Sequence, residues 1–276
     1  MTVLDPNILN PFTLLDPSIA QTVSLSGTIV SFSLSLVISW HFFRSYKFSG
    51  LGYLLGLPIG FATIAISFVL ENLSLIYAND DVLYPVFFWI QLTLQSEALA
   101  LIALSYRFKN RSAADYDNYR TKIVVSKQQL HDGNASVRVR QILDDCMPML
   151  MVAIPFIVPI SELVFGPDFN HYGLADLSFF IRIYNMIILG YIFSKAVISL
   201  VKAANIKLLY IPAAFALLWL EQYSLMIIYF DNSLSAFIGS ILARLAGLTL
   251  FVYAIRYALS KGRITGDVEI ETREET

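Results

Sequence analysis

The sequence predicts an all-α protein: a polytopic membrane bundle of seven transmembrane helices. Three observations predict it. Seven apolar runs, at roughly 19–43, 53–77, 83–107, 147–165, 177–200, 208–230 and 235–258, approach the ~20 residues a bilayer core requires. Only 14% of the 276 residues are charged and mean hydropathy is +0.64, against about 25% charged in soluble domains. Lys and Arg are confined to alternate connections. Helices apolar all round have no wet face, which argues against a soluble all-α core.

The elements follow in chain order. Residues 1–18 precede the first helix and carry Asp5, Pro6, Pro11, Asp16 and Pro17. This is not the basic n-region of a signal peptide. Residues 19–107 hold helices 1–3, joined by short links. Residues 108–146 form a polar loop, expected to be partly helical around 115–130, with a turn at Asp132-Gly133-Asn134. The 147–165 run is the shortest and serves as a linker helix. Residues 177–258 hold helices 5–7. Residues 259–276 form an acidic tail, expected to be disordered from 262 onward.

Orientation follows from the cations. Arg44 and Lys47 follow the first run. Arg107, Lys109, Arg111, Arg120, Lys122, Lys127, Arg138 and Arg140 follow the third. Lys202 and Lys207 follow the fifth, and Lys261 and Arg263 the seventh. The other connections carry Asp5, Asp16, Asp80, Asp81, Asp168, Asp176 and Asp231 and no cation. The positive-inside rule then places the amino terminus outside and the carboxyl terminus in the cytoplasm of a plasma-membrane protein.

The first and last three runs match. Leu54-Leu55-Gly56-Leu57-Pro58-Ile59-Gly60-Phe61 parallels Leu208-Leu209-Tyr210-Ile211-Pro212-Ala213-Ala214-Phe215. Glu71-Asn72-Leu73-Ser74-Leu75 parallels Glu221-Gln222-Tyr223-Ser224-Leu225. Leu99, Leu101 and Arg107 parallel Leu248, Leu250 and Arg256. The register slips by one helical turn inside the second run, which roughly preserves the facing side. The match implies a 3+1+3 parallel internal repeat, a plan found in some transporters and equally suited to receptor-like bundles.

Charged residues inside the runs are the candidate site. Glu71, Glu97, Glu162, Arg182, Glu221 and Arg244 each cost roughly 2.5–3.5 kcal/mol at mid-bilayer, so they are expected to face inward and pair. Gln91 and Gln95 share a face of the third run, and Arg182 and Asn185 a face of the fifth. Ser67, Glu71 and Ser74 share another face, as do Ser240, Arg244 and Gly247. Depth along the helix puts Glu97 near mid-membrane and the other charges in the outer half. The expectation is a polar cavity open to the outside. Arg244 cannot shed its charge, so a bond to Glu71 or Glu221 is expected. Three roles remain open: pairs that lock helices together, a small polar or ionic ligand site, and a proton relay.

Other chemistry is poorly supported. His41, His131 and His171 lie at an inner helix end, in the large loop and in an outer loop. They cannot converge on one metal. The single cysteine, Cys146, excludes an internal disulfide. Gly50, Gly52 and Gly56 have the wrong spacing for a dinucleotide loop. The last run holds Arg244 and no lysine, which disfavours a retinal Schiff base, and Lys195 is placed to snorkel. No catalytic residue, metal site or cofactor is expected, and enzyme activity is the least favoured class. The net charge of −2 offers nothing to nucleic acid.

Trp40-His41-Phe42-Phe43-Arg44, then Lys47, Leu51 to Phe61, and Ser67 to Glu71 carry a resemblance. This stretch of about thirty residues resembles the start of seven-helix membrane sensor regions in archaeal and bacterial signalling proteins. Those proteins carry a kinase or cyclase, which this sequence lacks. The resemblance therefore implies output through a separate cytoplasmic signalling partner. A sensor or receptor-like bundle is the leading expectation, and a small-solute or ion transporter the alternative. The lipid bilayer is the one partner composition itself demands.

Overall fold

The computed structural model describes residues 17–49, 55–77, 80, 83–125, 151–156, 170–203, 209–231 and 234–274. They form α1 (Pro17–Ser49), α2 (Gly56–Ile76), α3 (Leu83–Val125), α4 (151–156), α5 (Asn170–Ala203), α6 (Tyr210–Asp231) and α7 (Leu234–Glu274). No strand occurs among the described residues. Six helices are long and apolar enough to cross a membrane, with spans Thr22–Phe48, Gly56–Ile76, Leu83–Arg107, Ser178–Val201, Tyr210–Ile228 and Leu234–Tyr257. The protein is thus a multi-pass membrane bundle. The rest of the expected 147–165 helix, the loop beyond Val125 and most of residues 1–18 lie outside the described residues.

The helix ends differ from the sequence expectation. α3 continues past Arg107 to Val125, which includes part of the 115–130 stretch expected to be helical but joins it to the membrane span without a break. The tail expected to be disordered is helical to Glu274. Composition alone misread it: residues 259–274 contain no proline, and Glu269 stands four positions before Arg273, a spacing that favours helix.

The bundle exposes large apolar side chains and buries polar ones within its apolar core. Ile29, Ile66, Ile187, Val201 and Leu242 are exposed, while Gln222, Asn185, Ser240 and Arg244 are buried. In water this would be unstable; in a bilayer the exposed side chains meet acyl chains. An open apolar groove between α1 and α2, lined by Trp40, Phe43, Pro58 and Ile59, belongs to the same surface.

The principal packing forms a closed ring in the order α1, α2, α3, α5, α6, α7 and back to α1. Small residues let the helices approach, as membrane packing requires where no hydrophobic force draws helices together. A Cβ on Gly60 would stand 2.9 Å from the Ala98 carbonyl oxygen of α3, and one on Gly247 would stand 3.1 Å from the Ala214 carbonyl oxygen of α6. Below these crossings, Phe61 of α2 and Phe215 of α6 both meet the Phe251 ring edge-on, with centroids 5.3 and 4.7 Å away. The polar layer lies on the other side of the crossings.

Candidate functional site

Arg244 of α7 is the centre of that layer. It stands about 15 Å along the helix from Leu234 and is 3% exposed. Its guanidinium engages two helices at once. Nε donates to Glu221 Oε1 of α6 at 2.7 Å. Nη1 and Nη2 donate to Glu71 Oε2 and Oε1 of α2 at 2.8 and 3.2 Å. The bond expected from depth is present, and to both carboxylates. The forked bond to Glu71 is the geometry only a planar guanidinium provides.

The Phe68 ring completes the setting, with the guanidinium carbon 4.7 Å from its centroid. A cation over a ring face is stabilised further where water is excluded. Phe68 precedes Glu71 by three residues, so one turn of α2 presents both. That spacing was legible and was missed. Two carboxylates share one guanidinium, and Arg182 of α5 adds a second positive charge through its electrostatic interaction with Glu221. Glu221 is buried, whereas Glu71 is 20% exposed, so the layer reaches the bundle surface at Glu71.

Beside Glu221 lies a void of about 20 Å³, lined by Gln95, Gln222, Phe68, Leu99, Leu218 and Leu248 among others. A water needs roughly 10–15 Å³, so the void suits one water and no larger solute. This narrow void is the space the described residues show beside the charge layer. Leu and Phe side chains fill the space between the charged helices, and periodicity does not reveal how tightly they pack. Gln95 Oε1 and Gln222 Oε1 are buried without a hydrogen-bond partner. Gln222 was not among the expected site residues; its neighbour Glu221 was the only signal.

The remaining candidates are placed separately. Gln91 is buried one turn from Gln95 on α3. Glu97 is buried on another face of α3, with Oε1 unpartnered, and interacts electrostatically with Tyr184. The Tyr184 hydroxyl donates to the Met151 carbonyl of α4. Asn185 is fully buried. Glu162 lies outside the described residues. Ser67, Ser74 and Ser240 do not join the ion network; each donates to its own helix, at Ile64, Glu71 and Phe237 carbonyls respectively. Helical Ser commonly does this. No cluster of His, Cys, Asp or Glu able to hold a metal occurs among the described residues.

Compared with known proteins, the chain matches no family model, no curated sequence and no solved structure.

Proposed function

We propose that the protein is a receptor-like membrane sensor whose buried charge layer is coupled to the cytoplasm through α3 and α7. One observation carries this. The helices that hold Gln95 and Arg244 are the two that continue furthest beyond their membrane spans among the described residues, from Arg107 to Val125 and from Tyr257 to Glu274. At 1.5 Å per residue each extension is about 25 Å long. A shift of either helix at the charge layer moves its extension as a rod. The cation distribution supports a cytoplasmic location for both extensions and an outer amino terminus. The resemblance over residues 40–71 supports the same class.

A second reading, transport of a small cation or proton, draws on Glu97. It lies about 21 Å from Leu83 and 15 Å from Arg107 along α3, near mid-span, and Oε1 lacks a partner. The sensor reading is preferred because the layer is packed and its void has room for about one water.

Distance measurement between the rods tests the proposal. Spin labels at Asn118→Cys and Thr265→Cys, in a Cys146→Ser background in nanodiscs, should give a distance distribution that shifts when Glu221→Gln perturbs the layer. An identical distribution in both proteins would refute coupling. Uptake of a cation into proteoliposomes, abolished by Glu97→Gln, would favour transport.

A further inference from the structure

We propose that α1–α3 and α5–α7 are equivalent three-helix modules related by a pseudo-twofold axis through the void. In this arrangement Arg244 latches the modules from one of two equivalent positions, and Gln95 occupies the other.

The sequence match pairs Gly60 with Ala214 and Phe61 with Phe215. Continued along the third helix of each module, it pairs Ala98 with Gly247 and Gln95 with Arg244. Four placements agree with that pairing. The close crossings are Gly60 on Ala98 and Ala214 on Gly247, equivalent pairs with glycine and alanine exchanged. Phe61 and Phe215 converge on one ring, that of Phe251. The void is lined by both members of two matched pairs, Leu99 with Leu248 and Phe68 with Leu218. The ring order sets α1, α2 and α3 opposite α5, α6 and α7.

The charge layer obeys the same relation. Arg244 bonds Glu221 in its own module and Glu71 in the other. Gln95 would face the reciprocal pair, and it lines the void beside Glu221. The carboxylates are therefore duplicated while the guanidinium is present once. Arg244 joins α2 of one module to α6 of the other, so its release frees the modules to rock about the axis. The two extended helices, α3 and α7, are the third helix of each module.

Moving the guanidinium tests this. Thermal stability would be measured for the purified chain in nanodiscs carrying Arg244→Gln, Gln95→Arg with Arg244→Gln, and Gln91→Arg with Arg244→Gln. Arg244→Gln should lower the melting midpoint. Arginine at 95 should recover at least half of the loss, and arginine at 91, one turn away, none. Equal behaviour of the 95 and 91 variants overturns the equivalence. Should Arg244→Gln fail to accumulate, Arg244→Lys becomes the starting protein and the same ordering is expected. The ordering reads architecture alone and is the same for a sensor and a transporter.

Discussion

Arg244 Nη1 lies 2.8 Å from Glu71 Oε2, joining residues 173 positions apart in the chain. A second, nearer link joins the same side chain to Glu221. Removing a guanidinium from between two carboxylates leaves buried charge uncompensated, which costs about 3–5 kcal/mol where one partner of a buried pair is deleted. Intact, the arrangement is expected to contribute mainly specificity, by setting which turn of α2 meets which turn of α7.

Arg244→Lys should behave as a damaging substitution despite keeping the charge. One ammonium cannot donate a fork to Glu71 and a third bond to Glu221 in the same plane. We expect a melting midpoint clearly below that of the unmodified protein, approaching that of Arg244→Ala. A midpoint equal to the unmodified protein would show that point charge suffices.

The six described spans were legible because apolar length is a one-dimensional signal. The Arg244 pairing was legible for a related reason: depth and an unsheddable charge leave few partners. The void was not. Its walls are Leu99, Leu218 and Leu248, residues common to every helix here, and nothing in their spacing reports how closely they interdigitate. The serine hydroxyl partners were not legible, because helical periodicity gives a face and not a hydroxyl direction. The tail was misread because charge composition outweighed helix-supporting spacing.

Glycines offer a contrast. Gly60→Ala would bring Cβ to 2.7 Å from Ile102 Cγ1 and 2.9 Å from the Ala98 carbonyl. Backbone oxygen cannot yield as a side chain can, so a loss of about 1–3 kcal/mol is expected from overpacking. Gly190 has nothing within 4 Å of the corresponding position, so Gly190→Ala should be neutral or slightly stabilising. Unfolding of both variants in mixed micelles gives the comparison; equal effects would mean the α2–α3 crossing is looser than described.

The Thr28 hydroxyl donates to Asn72 Oδ1 at 2.6 Å, bridging α1 and α2. Interhelical hydrogen bonds in membranes average about 0.6 kcal/mol. Thr28→Val should therefore cost far less than Arg244→Ala. Comparable losses would assign α1 a larger part in holding the layer.

Topology is testable by labelling in intact cells with a membrane-impermeant thiol reagent. In a Cys146→Ser background, Asp80→Cys should label and Lys122→Cys should not. Labelling at 122 with protection at 80 would invert the orientation and place both helical extensions outside.

Arg244 and Glu71 are expected to act as one unit across the bundle. A double-mutant cycle measures it most directly: the unmodified protein, Arg244→Ala, Glu71→Ala and the double variant, each unfolded reversibly in the same mixed micelles. We expect strong non-additivity, with a coupling energy of about 2–3 kcal/mol, near the upper end for residues in one network. Additivity within about 0.5 kcal/mol would mean the two side chains do not hold α2 to α7, and the account of the charge layer would fail.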